Sequence, residues 1–253
     1  MNFAHPAFLP YRDLIETLGL AHGLPALDTL NACAAARDTR QARGLPLVFV
    51  VPDGRLSARD YETRILETGE VPTRADTWHD VLNALVWLRF PRFKAALNAA
   101  HGEALGAETG PVRGRRRDAL TVLDESGVWV ASRDAQLPRL LTARDWNALF
   151  VARRAQVEAD LRCIVVGHAL LEKALAPYPA MTGKCLLVDA SAFEPDALEA
   201  AAIAALATVD TPKALPPLPI QGVPGWDPRN ADPAYYADRD VFRPLSPNDR
   251  TGA

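Results

Sequence analysis

The sequence has few cysteines: Cys33, Cys163 and Cys185 are three among 253 residues, an odd number at wide spacing. This argues against the disulfide framework that staples small secreted proteins. The chain also has no large excess of charge, because 28 basic and 31 acidic residues leave a net −3 at pH 7. A chain-wide attraction to nucleic acid or to an anionic membrane is therefore excluded, and any such binding requires a local patch.

Long hydrophobic runs are also missing. The longest Ala- and Leu-rich stretch, Leu198 to Val209, holds about 12 residues and includes Glu199, whereas about 20 apolar residues are needed to cross a bilayer. The N-terminus lacks the basic start, apolar region and cleavage site of a secretory signal. We therefore expect no membrane span and a cytoplasmic location.

Several catalytic signatures are absent from the sequence. It contains no P-loop, no G-x-G-x-x-G after a strand, no G-x-S-x-G elbow, no H-E-x-x-H and no paired C-x-x-C. These absences count against P-loop nucleotide hydrolysis, Rossmann-type dinucleotide chemistry and serine-hydrolase chemistry. Whether the chain is an enzyme stays open at this point.

Strand-like and helical patterns alternate along the chain. A buried strand is predicted at Leu45–Val51, a β-hairpin at Ala119–Ala131 and a further strand at Cys185–Asp189. We expect a helix-rich α+β fold, formed by a single domain over residues 1–253. Its small mixed or antiparallel sheet would be built from these three segments.

Helix boundaries are indicated by caps and breakers. Ser57, three residues before Asp60, predicts a helix through Glu67 that stops at Gly69. Helices are also predicted at 78–89 after a cap at Thr73 and Asp76, at 91–100 beyond the Phe90-Pro91 corner and closed by Gly102, from 142 to 161, at 168–175 and at 194–207.

The chain changes character at Thr211, since nine of its 21 prolines lie from there onward, interspersed with aromatic residues. If these aromatic side chains were exposed to solvent, the protein would lose the favourable free energy of burying them. We therefore expect an irregular but ordered tail over 211–245 that wraps the domain. If the chain instead forms two lobes, their boundary is expected at 102–114, where glycine recurs and apolar periodicity lapses.

Polar residues cluster on the two helices predicted on either side of the Phe90-Pro91 corner. Helical spacing groups them into two stripes, His79, Asp80 and Asn83 on the first helix and Lys94, Asn98 and His101 on the second. If the corner folds the helices into a hairpin, the stripes face one another and suffice to bind a metal or hold a general base. The alternative is that His79 packs beside Trp78 while the second stripe is solvated.

His168 and Glu172 are four residues apart on a predicted helix, a spacing that can place both side chains on one metal ion. The alternative is an intrahelical hydrogen bond or a solvated pair. If His168 meets His79 or His101, the ligands are nitrogen and oxygen without thiolate. Such a set suits a divalent metal, namely zinc, manganese or magnesium according to the geometry.

A run of arginines at 113 and 115–117 precedes the predicted hairpin. Phosphate binding is the functional interpretation, which leaves a small anionic ligand or nucleic acid open as a partner. The alternative is a basic loop balanced by nearby acidic residues.

Five segments carry a resemblance to a known family, namely TWHDVLNALVWLRFPRFKAALNAAH, GRRRDALTVLDESGV, GHALLEKALAPYPAMTGK, PIQGVPGWDP and VFRP. On these segments the chain, over about residues 60 to 244, resembles the bacterial family known as domain of unknown function 3025 (DUF3025). The resemblance implies a bacterial protein whose proline-rich tail belongs to the domain. It transfers no catalytic residue.

A second likeness, to the His-Me finger nucleases, is kept only as an analogy. It rests on the order in which Asn83, Leu85, Trp87, Asn98 and His101 occur. Those nucleases place a hairpin loop between the histidine base and the asparagine. In this chain His79 and Asn83 are separated by three residues of a predicted helix.

The leading hypothesis is a metal-dependent hydrolase that acts on a phosphoester-like or other anionic substrate. Its catalytic residues would be His79, Asp80, Asn83 and His168, its substrate-binding residues Lys94, Arg115, Arg116 and Arg117, and its metal ligands His79, His101, His168 and Glu172. The alternative is a non-catalytic binding or scaffold protein in which the same cluster is structural. A third hypothesis is a small-molecule sensor with an enclosed pocket.

Overall fold

The computed structural model describes residues 1–108, 113–190 and 193–245. The fold is α+β and rich in helix, as predicted. None of the helices in these three ranges has the length and apolar character needed to cross a membrane. The helices are α1 (Arg12–Thr17), α2 (Leu27–Ala36), α3 (Ala58–Thr68), α4 (Trp78–Arg89), α5 (Pro91–Ala107), α6 (Arg115–Ser126), α7 (Gln136–Thr142), α8 (Arg154–Asp160), α9 (His168–Ala174) and α10 (Pro195–Ala205). The strands are β1 (Val48–Val50), β2 (Glu70–Pro72), β3 (Gly127–Ser132), β4 (Leu161–Val165), β5 (Thr182–Asp189) and β6 (Pro217–Pro219).

The larger sheet is mixed, with the strand order β4-β3-β5-β6. Strand β3 runs antiparallel to β4 and parallel to β5, and β6 pairs antiparallel with β5. Every residue of β3 is buried; the strand lies between β4 and β5, and α6 and α7 contact it. Its Trp129 ring lies 4.7 Å from the Phe90 ring and 4.8 Å from the Phe93 ring, which fixes the α4–α5 corner against the sheet.

The predicted strand at Leu45–Val51 does not belong to this sheet, which corrects the expected sheet composition. Only β1 forms there, and it pairs in parallel with β2 as a separate two-stranded sheet. The Asn31 side chain occupies the other edge of β1, donating to Phe49 O and accepting from Phe49 N. Val48 and Val51 are exposed, so the segment is not the buried strand that its apolar run predicted.

The predicted hairpin at Ala119–Ala131 is wrong in its first half, where the chain forms α6 and enters β3 directly. Three buried residues, Ala119, Leu120 and Leu123, have helical spacing and define the inner face of α6. Gly127 has φ −70°, whereas a tight hairpin turn needs positive φ at its central residues. The acidic pair expected in a turn, Asp124 and Glu125, therefore lies on the last turn of a helix.

Two helix boundaries near the polar stripes also differ from the prediction. Thr77, not Thr73 or Asp76, caps α4, and its Oγ1 accepts from the backbone N–H of Asp80. Helix α5 continues through Gly102 to Ala107. A Cβ at Gly102 would lie 2.5 Å from the Leu66 side chain, so this glycine allows α5 to pack closely on α3 and does not end the helix.

The long helix predicted from Thr142 to Leu161 is broken into a π-helical turn at Ala148–Ala152 and the short α8. The apolar stretch that follows is strand β4, in which Cys163 lies opposite Val130 of β3. Apolar periodicity alone cannot distinguish a buried helix from a buried strand. Here the segment forms a strand because its backbone pairs with β3.

The tail over 211–245 is irregular, as predicted. It consists of β6 and of 3₁₀ turns at Pro212–Ala214, Ile220–Gly222, Pro228–Ala231 and Pro233–Ala237. The Tyr236 ring stacks on Phe150 at 5.5 Å, and Trp146 Nε1 donates to Arg243 O. The expected lobe boundary at 102–114 stays a prediction, since 109–112 lie outside the described residues.

Candidate metal centre

A cavity of about 760 Å³ is bordered by side chains of α3, α4, α5, α6 and α9. This volume is typical of sites that bind small molecules. The three histidines of the hypothesis line it together with further polar residues, so that the lining includes Arg55, Tyr61, Glu62, Arg74, His79, Asp80, Asn83, His101, Thr121, Asp124, Glu125 and His168.

The junction between β4 and α9 places His168 in this cavity. His168 is the first residue of α9 and follows Gly167, whose N–H and that of Val166 both donate to Gly127 O at 2.9 and 3.0 Å. A Cβ at Gly167 would lie 2.3 Å from Gly127 N. Only glycine permits this approach, which brings His168 beside the end of α6.

His79, Glu125 and His168 form a cluster whose potential ligand atoms all lie within 4.8 Å of one another. His168 Nε2 is 3.1 Å from His79 Nε2 and 3.6 Å from Glu125 Oε2. A tetrahedral zinc site with bonds of about 2.0–2.1 Å separates its ligand atoms by about 3.3 Å. The observed separations bracket that value, and two imidazoles with one carboxylate are a ligand set that zinc commonly takes.

A carboxylate orients His79 from the side away from this cluster. Glu172 Oε2 lies 3.0 Å from His79 Nδ1 and accepts a hydrogen bond from its N–H. In the neutral ring the lone pair is then on Nε2, the atom that faces His168, which is the carboxylate–histidine pattern found at metal sites. Glu172 was expected as a metal ligand; the structure places its carboxylate on the outer nitrogen of His79, outside the cluster.

The electrostatics keep His168 available as a ligand. Burial, more than any other effect, lowers the pKa of His168 to about 4, so the ring is neutral at pH 7. Its Nδ1 faces Asp124 Oδ2 at 3.8 Å. Burial also raises the pKa of Glu125, with the neighbouring Asp124 charge adding to the effect. A cation between these groups would relieve the crowding of carboxylates.

A buried hydrogen-bond network forms the wall beneath the cluster. Lys94 Nζ donates to Asn83 Oδ1 at 2.9 Å and to Asp124, and Asn83 Nδ2 donates to the Tyr61 hydroxyl at 2.8 Å. Burial acts to raise the pKa of Asp124, but its charged neighbours, Lys94 first among them, hold that pKa below its usual value. The two polar stripes therefore meet across the α4–α5 corner, with Lys94 only 4% exposed.

Asp80 lies at the cavity wall but outside the cluster. It accepts from the backbone N–H of Arg74 at 2.7 Å and from Arg74 Nε and Nη2 at 3.0 Å each. Burial acts to raise its pKa, and these bonds more than offset that effect, so the pKa of Asp80 is lowered. This contact holds Arg74 at the cavity opening.

The predicted phosphate-binding arginines are not among the residues that line the cavity. Arg115 is exposed at the start of α6, Arg116 lies 3.7 Å from Glu103, and Arg117 Nη1 donates to Glu108 Oε2 at 2.8 Å. The arginines at the cavity are Arg55 and Arg74, each in a loop, which the sequence pattern did not single out.

His101 lines the cavity but does not join the ligand cluster. It is 3% exposed, and its Nε2 has no hydrogen-bond partner among the described residues. Burial is the main cause that lowers its pKa to about 4. His79 and Asn83 both lie on α4, so this segment does not contain the hairpin loop of the His-Me finger nucleases.

Comparison with known proteins identifies a family. The family model described as "Protein of unknown function (DUF3025)" matches residues 47–246. This range covers most of the chain and includes every residue of the cavity described above. No curated protein and no solved structure matches the chain. The chain therefore belongs to the DUF3025 family.

Proposed function

We propose that this member of the DUF3025 family is a metal-dependent hydrolase that acts on a phosphoester-like or other anionic substrate. His79, Glu125 and His168 would hold one divalent metal ion, for which zinc is the best match. The observation that carries the proposal is the convergence of these three side chains, from three helices, at the wall of a cavity large enough for a small molecule.

The proposed ligand set leaves room for chemistry. Three protein ligands on a tetrahedral metal leave the fourth position to water or substrate, which distinguishes catalytic from structural zinc sites. A metal ion held by these three ligands would lower the pKa of the water bound at its fourth position and would polarise a phosphoryl or carbonyl oxygen. His79 and His168 would then act as ligands, and Glu172 would be a positioning residue for His79.

The charges around the cavity support an anionic substrate. Arg55 and Arg74 both line the cavity and are exposed to solvent. Asp80 fixes Arg74 through three hydrogen bonds and leaves one of its terminal nitrogens for a ligand. Guanidinium groups bind phosphate oxygens well, and a metal ion adds further positive charge.

The alternative is a non-catalytic binding protein in which these polar residues are structural. The hydrogen-bonded Lys94, Asn83 and Asp124 favour it, since satisfied buried networks rigidify a core without catalysing a reaction. Metal content and hydrolysis of a phosphate ester together separate the two proposals, because the structural alternative needs no metal ion and catalyses no reaction.

The test is metal analysis of tag-free protein after dialysis against zinc and removal of the excess. We expect about one zinc per chain, loss of that zinc in His79→Ala and His168→Ala, and full retention in His22→Ala, which changes an exposed histidine away from the cavity. The zinc-loaded protein should also hydrolyse a chromogenic phosphate ester, and the His79→Ala variant should not. A wild-type protein without zinc, or a His79→Ala variant that keeps it, would overturn the metal site. Zinc binding without hydrolysis would favour the binding protein.

A further inference from the structure

The cavity continues from the proposed metal site to a more buried end. Asn98 and His101, three residues apart on α5, are each only 3% exposed there. Glu62 of α3 faces them, and its backbone oxygen and Oε2 accept from Asn98 Nδ2 at 3.0 and 2.7 Å. Glu62 and His101 line both the main cavity and a smaller adjoining one that also reaches Asn98.

Two polar atoms at this end have no hydrogen-bond partner within the described residues, His101 Nε2 and Asn98 Oδ1. Leaving a buried polar atom unpaired is costly, and native proteins rarely do so without a reason such as a bound group. His101 borders the main cavity, and Asn98 borders the smaller one, which holds about 10 Å³. A polar group of a ligand that reaches this end would give these two atoms the partner they lack.

This end also differs in charge from the metal end. Burial keeps His101 neutral, and burial together with Asp124 raises the pKa of Glu62 to about 7, so the carboxyl holds its proton below that pH. The nearby charges of Lys94 and Asp124 pair with each other. Below pH 7 the buried end thus offers neutral donors and acceptors, while Arg55 and Arg74 line the cavity and are exposed to solvent.

We propose that Glu62, Asn98 and His101 bind an uncharged, hydroxyl-bearing part of the substrate, while its phosphoester group lies at the metal and arginine end. This inference rests on the proposed function. A hydroxyl both donates and accepts, so it can pair with an imidazole nitrogen, an amide oxygen and a carboxyl group at once. The substrate class is then a phosphate ester of a polyhydroxy compound.

The test compares two phosphate esters on the zinc-loaded, full-length protein by calorimetry. A pentose 5-phosphate and pentyl phosphate share the anionic group and the chain length, but only the first carries hydroxyls. We expect the pentose phosphate to bind at least about tenfold more tightly, because the alkyl chain would leave the buried polar groups unpaired. Equal affinities would overturn the inference, and this comparison needs no variant that has to fold.

Variants locate the effect within the cavity. His101→Phe and Asn98→Ala should each weaken pentose phosphate binding about tenfold and leave binding of inorganic phosphate unchanged, since phosphate occupies the metal end only. If inorganic phosphate binds while the two esters remain equal, this inference alone fails. If inorganic phosphate does not bind the zinc-loaded protein, the proposed function fails and this inference fails with it.

Discussion

His79 Nε2 and His168 Nε2 lie 3.1 Å apart, although the two residues are 89 positions apart in the chain. The contact arises because α4 and α9 pack against each other and because Gly167 lets α9 begin directly beside α6. The separation fits a hydrogen bond from the N–H of one ring to the nitrogen of the other, and it equally fits two ligands of one metal ion.

Glu172→Gln should weaken zinc binding by about 10–100-fold while the fold is retained. The carboxylate on His79 Nδ1 fixes the tautomer and raises the basicity of the ligand, and a neutral amide does so less well. Affinity is measured by competition with a chromogenic chelator. Glu67→Gln, an exposed change on α3, is the matched control and should bind zinc as the wild type does. Equal zinc affinity of the Glu172→Gln and Glu67→Gln variants would show that Glu172 does not support zinc binding.

Gly167→Ala should lower the unfolding free energy by about 1–3 kcal/mol and reduce zinc affinity as well. The new Cβ would lie 2.3 Å from Gly127 N, so the start of α9 must shift and take His168 with it. Gly106→Ala is the control, because its Cβ meets nothing within 4 Å and alanine favours the helix. Urea denaturation and zinc titration of both variants check this, and a Gly167→Ala protein as stable as Gly106→Ala would contradict the role assigned to the close approach.

Glu62→Gln should change the way stability depends on pH. Burial raises the folded-state pKa of Glu62 to about 7 from its ordinary value of 4.5, so the folded state binds its proton more tightly than the unfolded state does. Its contribution is present at low pH and is lost as pH rises from about 4.5 through 7. The variant lacks this loss and should be more stable than the wild type by about 1–3 kcal/mol at pH 8, with a smaller difference at pH 4.5. Denaturation at both pH values tests it, and a difference that stays constant with pH would contradict it.

Arg55→Gln should weaken binding of inorganic phosphate to the zinc-loaded protein several-fold. Arg55 lines the cavity, so its guanidinium is within reach of an anion bound there. Arg115→Gln is the matched control, because Arg115 is exposed on α6 and is not among the lining residues. Calorimetry at a fixed salt concentration measures both. A larger loss of phosphate affinity in Arg115→Gln than in Arg55→Gln would instead indicate that the anion binds at the arginine run.

Much of the site could be predicted from local sequence signals. His79 and Asn83 share a helical face, and the Phe90-Pro91 corner brings the second stripe to the first, as the Lys94–Asn83 hydrogen bond confirms. These predictions worked because caps, proline and helical spacing act over a few residues. The meeting of His79 with His168 depends on how distant helices pack, and no local pattern encodes it.

Glu125 shows where local pattern was misleading. It lies in the segment LDESG, whose composition is typical of a turn and equally of the end of a helix. The helix forms because Leu120 and Leu123 gain burial on its inner face, which outweighs the turn preference. Glu62 gave no signal either, since it lies among charged residues on a helix that looks solvated.

The short strand β6 has a consequence for how the sheet meets other molecules. Ile220 N donates to Met181 O and Pro216 O accepts from Cys185 N, so the alternation along β6 turns Pro217 and Pro219 away from β5. Proline has no N–H, and the outer edge of β6 therefore offers no donors at these two positions to a strand from another chain. The proline-rich tail thus protects this edge of the sheet against edge-to-edge aggregation. In a chain shortened before residue 217, the edge of β5 would be free to pair with a strand from another chain.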